Sequence, residues 1–120
     1  MATKERLFAD IDTMEPDAFA RYLAEDVTMR FGNAPELRGR DACRRAWADF
    51  CDLVDGVHHD VVEVWEVDDT TIAQTDVTYT RKDGRDVTVP VVTIYRTGDD
   101  DLIADYRVFL DLTPVFADAA

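Results

Sequence analysis

Four strand-like segments joined by very short links constrain this chain more than anything else in it. They are Val57–Val67, Thr71–Arg81, Asp86–Thr97 and Leu102–Leu112. The links hold Asp68–Asp69, Asp83–Gly84 and Gly98–Asp101, all residues that favour turns. Links this short join neighbouring antiparallel strands, because a parallel crossover needs about a dozen residues or more. Long strands twist and curl. The preceding half reads as helical. Leu7, Phe8 and Ile11 recur at helical spacing, and Pro16 suits the first turn of a second helix with Phe19, Tyr22 and Leu23 as its stripe. Val27–Phe31 is a short strand and the segment from Gly32 to Gly39 a loop. Asp41 is the expected N-cap of a third helix, which carries Cys43, Ala46, Trp47, Phe50, Leu53 and Val54 and stops at Gly56. Helices followed by antiparallel strands predict an α+β fold in one domain, residues 1–120. In it three N-terminal helices pack on a curved, mainly antiparallel sheet and enclose a pocket.

Charge narrows the partners. The formal net charge is −13, which repels nucleic acid and anionic membrane surfaces and suits a neutral or weakly polar small molecule. No apolar run approaches the ~20 residues of a membrane helix. The N-terminus "MATKERLFADID" has no apolar signal core, so the expected location is cytoplasmic. Cys43 and Cys51 lie about two helical turns apart, too far for a disulfide, and read as small hydrophobes. There is no Cys/His cluster of zinc-binding spacing, and neither metal nor cofactor is expected.

The phrases "FARYLAEDVTM…LRGRDACRRAW", "HHDVVEVWEV", "DVTYTRKDG…VPVVTIYR" and "IADYRVFLDLTP" resemble the SnoaL-like branch of the NTF2-like superfamily over nearly the whole chain. The resemblance implies a cone-shaped α+β cup of the cystatin-like type. It does not name a reaction, because relatives on this fold include ketosteroid isomerase, limonene epoxide hydrolase, polyketide cyclases and non-catalytic binders. The familiar catalytic sets are incomplete here. Where ketosteroid isomerase places its base, its oxyanion-hole Asp and its oxyanion Tyr, this chain has Phe31, Pro90 and about Leu7. Where limonene epoxide hydrolase places its last-strand Asp, this chain has Val108, and Gln74 falls where that family's Arg would be.

Two opposite readings of one strand follow. By hydrophobicity, Val77 and Tyr79 face the core, which turns Asp76 outward. By the family alignment, counted back from Asp83–Gly84, Asp76, Thr78 and Thr80 face the cup. On the alignment Asp76 is a candidate general acid–base, its pKa raised by desolvation. Of the two histidines only one can enter the cup, and "HD" followed by "VVEVW" favours His59. His59 and Asp76 would form a dyad if their strands pair in register. A lone strand histidine is otherwise a structural hydrogen-bonder. The same alignment places Tyr106, Val108 and Leu110 on the cup side of the last strand. Trp47 and Phe50 supply an aromatic wall, and Phe31 and Thr78 complete the expected substrate contacts.

Asp105, Arg107 and Phe109 share the other face of the last strand, and relatives commonly pair through the sheet. A homodimer is expected there, with Asp105 matched to Arg107 across the two-fold axis. Pro90 marks a bulge or an edge position. The expected function is a SnoaL-like enzyme performing cofactor-free cyclisation, isomerisation, dehydration or epoxide opening on a mostly apolar substrate. The alternatives are a non-catalytic small-molecule binder of the same fold and, with least support, a protein adaptor.

Overall fold

Alternation decides which side of the sheet faces the interior. In the strand Thr70–Arg81 the odd-numbered Thr71, Ala73, Thr75, Val77 and Tyr79 are buried, while Gln74 and Asp76 are exposed. A computed structural model of the chain describes residues 2–117, with side chains described from Arg6 onward. In chain order the elements are α1 (Ala2–Asp12), α2 (Pro16–Ala20), β1 (Leu23–Phe31), β2 (Leu37–Arg38), α3 (Arg40–Cys51), β3 (Val54–Val67), β4 (Thr70–Arg81), β5 (Asp86–Thr97), β6 (Ile103–Phe109) and α4 (Thr113–Phe116). The six strands form one sheet in the order β2-β1-β6-β5-β4-β3. β1 runs parallel to β6 and every other pair is antiparallel. The α+β class and the four-strand meander are as expected. The expected group of three N-terminal helices is not: the described residues form four short helices, with β1 and β2 between α2 and α3, and α4 after the sheet.

Local boundaries differ for identifiable reasons. α3 begins at Arg40 with Gly39, not Asp41, at its N-cap. Gly39 has φ 95°, and its N–H donates to the Val27 carbonyl at 2.7 Å. A side chain is strained in that conformation. The helix ends at Cys51, so Gly56 is not its stop but a residue of β3. There the pairing with β4 shifts register between Val54 and Gly56, and a Cβ on Gly56 would meet Thr80 Oγ1 at 3.0 Å. Pro90 sits within β5 at an exposed position, beyond the last β6 pairing at Val92. Its missing donor therefore falls on a local edge, and the bulges lie elsewhere, one of them in β3 between Val61 and Glu63.

The core lies between the helices and the inner sheet face. Leu7, Phe8 and Ile11 of α1 and Phe19 of α2 pack with Val77, Val89, Val91 and Tyr95 of the sheet. Leu23 opens β1 fully buried opposite Ile103 of β6, and its carbonyl accepts from Arg40 Nε at 2.9 Å. It joins the one parallel strand pair to α3. Leu23→Ala is expected to cost about 2–5 kcal/mol of unfolding free energy through lost burial and a residual cavity. Urea denaturation checks this, as a lower midpoint with an unchanged slope.

Candidate functional site

Between the helices and the inner sheet face lies a cavity of about 550 Å³. Phe19, Met29, Val91, Thr93, Tyr106 and Val108 form its buried floor. Trp47 and Phe50 of α3 stack at 5.6 Å between ring centroids and make one wall, with Phe31 edge-on to Phe50 at 5.4 Å. The exposed lining residues Ala34, Pro35, Asp49 and Leu53 place its mouth between the loop after β1 and the end of α3.

His59 is the sequence-expected residue that the fold delivers to this cavity. It pairs with Val77 across β3–β4, on the buried face, and Phe8 stacks on its ring at 4.8 Å. Its partner is Asp12 rather than Asp76. Asp12 Oδ1 lies 2.5 Å from His59 Nδ1, and Asp12 Oδ2 accepts the His59 main-chain N–H at 2.8 Å. A carboxylate that already accepts one N–H with one oxygen accepts the ring proton with the other. That assigns the proton to Nδ1 and leaves the Nε2 lone pair free. His58, the neighbour, is exposed on the opposite face, with Asp60 at 3.1 Å.

Asp76 does not enter the cavity. It is exposed on the outer face, opposite Asp60 on one side and Pro90 on the other. The hydrophobic reading of the strand was the correct one, because burying Val77 and Tyr79 outweighs any preference of the carboxylate. The β4–β5 turn closes with Arg81 N–H donating to Arg85, so counting from Asp83–Gly84 gave the wrong parity. Thr78 shares the outer face and hydrogen-bonds Thr88 at 2.8 Å, so it is not a substrate contact. Leu110 lies beyond β6 and packs against the core without lining the cavity. Tyr106, Trp47, Phe31, Phe50 and Val108 all line it.

Three polar lining residues stand outside the sequence-expected set. Tyr79 lies diagonally across β3–β4 from His59, since Val57 opposes Tyr79 and Val77 opposes His59. Thr93 lies on the floor from β5 and Asp49 at the mouth. Burial raises the Tyr79 phenol above its usual range, with the Asp12 charge adding to it. Burial raises Tyr106 likewise, with further contributions from Tyr95, Tyr79 and Asp12. Both phenols therefore stay protonated and can donate. Trp47 Nε1 is the one buried side-chain polar atom among the described residues that has no hydrogen-bond partner. A signal for Asp12 did exist. "ADID" puts two carboxylates in the last turn of α1, where the helix dipole disfavours them. One holds the Tyr22 hydroxyl and the other holds His59.

Among the described residues no group of three or more His, Cys, Asp or Glu could hold a metal ion, and no helix is long and apolar enough to cross a membrane. The family model described as "SnoaL-like domain" matches residues 5–106. The chain belongs to the SnoaL-like domain family. No curated protein matches this SnoaL-like chain. Solved structures share its fold. A SnoaL-like protein of the polyketide cyclase type from Jannaschia sp. CCS1 is 20% identical, with TM-score 0.82 over 95% of this chain and 86% of that one. A protein of ketosteroid isomerase-like fold from Catenulispora acidiphila DSM 44928, solved with trimethylamine, is 19% identical, with TM-score 0.86 over 95% and 88%. An LEH-like epoxide hydrolase from M. tuberculosis is 13% identical, with TM-score 0.79 over 96% and 84%. The SnoaL-like protein thus has the NTF2-like α+β fold with a mainly antiparallel sheet, in a family with cyclase, isomerase and epoxide hydrolase members.

Proposed function

We propose that this SnoaL-like protein is a cofactor-free acid–base enzyme acting on a mostly apolar carbonyl compound held in the cup. The observation that carries this reading is the 2.5 Å pairing of Asp12 with His59, whose ring lines a mostly apolar cavity. His59 Nε2 takes a proton from carbon next to the carbonyl. The C–H electron pair moves into the carbonyl, giving an enolate. The protonated phenol of Tyr79 or Tyr106 donates a hydrogen bond to the enolate oxygen. Where the substrate carries a β,γ-double bond the enolate is a dienolate, and return of the proton from His59 to its far carbon completes an isomerisation. Attack of the enolate carbon on a second carbonyl of the same molecule forms the new C–C bond and an alkoxide, and His59 returns its proton to that oxygen to complete a cyclisation. A general base with neutral donors suits these steps better than epoxide opening, because the one carboxylic acid among the described lining residues, Asp49, stands at the mouth, away from the His59 wall.

The test is deuterium exchange. β-Tetralone, a small bicyclic ketone, is incubated with the protein in D2O and deuterium at its activated carbons is followed by NMR. Exchange reports proton abstraction without knowledge of the native substrate. Exchange above the buffer rate supports the reading, and binding without exchange sinks it. The second reading, a non-catalytic binder, has one specific support. Asp12 also accepts the His59 main-chain N–H, so the pair ties α1 to β3 and has a structural use.

We further propose that the protein is a homodimer through the outer sheet face. Trp65, Ile72 and Ile94 form one cross-strand row there, and Val92 and Phe109 extend the apolar stripe. Phe109 is 54% exposed and Trp65 46%. The expected match of Asp105 to Arg107 across the two-fold needs revision, because they already pair within the chain at 3.0 Å while Arg107 also binds Glu36 at 3.0 Å. The apolar stripe is the contact, and the charges are its rim. Phe109→Asp is expected to convert a dimer to a monomer by light scattering. A wild-type monomer at micromolar concentration overturns this.

A further inference from the structure

The cavity is one-sided in charge. Among the described residues no Lys or Arg lines it. Among the described residues His59 is the one lining side chain that can become a cation, and Asp12 at 2.5 Å offsets that charge when it forms. The nearby arginines bond at the rim or outside it. Arg38 pairs with Glu36 at 3.3 Å, Arg107 with Glu36 and Asp105, and Arg30 Nε donates to the Ala34 carbonyl at 3.2 Å. The Asp49 side chain stands at the mouth, exposed, and its carboxylate makes no side-chain hydrogen bond or ion pair among the described residues. Arg45, one helical turn earlier, makes no ion pair with it among the described residues. The formal charge of −13 adds a field of the same sign.

The consequence is a selection rule. A carboxylate entering the cup loses its water and meets no lysine or arginine among the described lining residues, only a few neutral donors such as the Tyr79 and Tyr106 phenols set in apolar walls. An ammonium left at the mouth keeps part of its hydration and faces the Asp49 carboxylate, beside the stacked rings of Trp47 and Phe50. We propose that the cup selects ligands by charge: it takes a flat apolar molecule whose trailing end carries a protonated amine, held at the mouth by Asp49, and it excludes the corresponding carboxylate. This deepens the proposed function and rests on the cup being the substrate site.

Three probes on one skeleton test it: anthracenylmethylamine, anthracenylmethanol and anthracene carboxylate. Their affinities are read from anthracene fluorescence at about pH 8, where the amine is charged and the carboxylate ionised. The amine is expected to bind about two- to fivefold more tightly than the alcohol, the range of an exposed ion pair. The carboxylate is expected to bind at least about tenfold more weakly than the alcohol. Asp49→Asn should bring the amine and alcohol affinities together, and raising salt in the wild type should do the same. A carboxylate that binds as well as the alcohol, or an amine preference that survives both Asp49→Asn and high salt, overturns the proposal. If β-tetralone still exchanges in either case, only the charge rule falls. If none of the three probes binds, the cup is not a ligand site and the proposed function falls with it.

Discussion

In His59→Gln, deuterium exchange into β-tetralone falls by about a hundred- to ten-thousandfold, the usual contribution of a positioned general base. Glutamine keeps a polar side chain of similar reach but cannot take a proton near neutral pH. The cup is otherwise unchanged, so the affinity for β-tetralone stays within about twofold. Asp12 loses its ring partner in this variant and keeps the main-chain N–H, at a cost of about 1–3 kcal/mol in stability. Thermal denaturation therefore accompanies the rate measurement, to show that the variant is folded at the assay temperature. Asp76→Asn is the matched control. Asp76 is exposed on the outer sheet face, so its exchange rate stays within about twofold of wild type. Equal exchange rates in wild type and His59→Gln would remove the base from the mechanism. A loss in Asp76→Asn as large as that in His59→Gln would mean that the outer face, not the cup, carries the chemistry.

The reach of the sequence follows from which forces act locally. The meander was legible because each turn is written in two to four consecutive residues and each strand carries its own alternation. The third helix was legible from Trp47, Phe50 and their spacing, but its ends were not. Its start depends on Gly39 donating to Val27 across a loop, and its stop frees Val54 and Gly56 for β3. The aromatic wall was legible because large apolar side chains on an amphipathic face have few other places to go. Asp76 shows where a resemblance misleads. Strand parity depends on turn length, and one residue of slip exchanges the two faces of the whole strand. The burial of Val77 and Tyr79 carried the better information. Asp12 was not legible as a partner of His59, because the two are separated by 47 positions and meet only when α1 docks on β3. What the sequence did hold was an anomaly, a carboxylate in the last turn of a helix. Residues that a helix does not favour are worth reading as belonging to something the helix will later touch.

Asp12→Asn separates the two uses of that carboxylate. Asp12 accepts two donors from one residue, the His59 main-chain N–H at 2.8 Å and the ring at 2.5 Å. An amide offers one acceptor and one donor in their place. The main-chain N–H cannot reverse its role, so the amide oxygen turns to it. The amide NH2 then faces Nδ1, which must become the acceptor, and the ring proton moves to Nε2. The ring stays in the cavity wall with its shape intact, but the atom that was a base is now a donor. Exchange of β-tetralone is therefore expected to fall by about a hundred- to ten-thousandfold, as in His59→Gln. Stability should fall by only about 1–3 kcal/mol, from replacing charge-assisted hydrogen bonds by neutral ones. Imidazole nitrogen NMR reads the tautomer directly and is the measurement a merely structural role would leave without kinetic consequence. If the tautomer switches and exchange persists within about threefold, Nε2 is not the base and the pair serves only to fasten α1 to the sheet. If the tautomer switches and exchange is lost in parallel, the carboxylate at the end of α1 positions the proton that the chemistry needs.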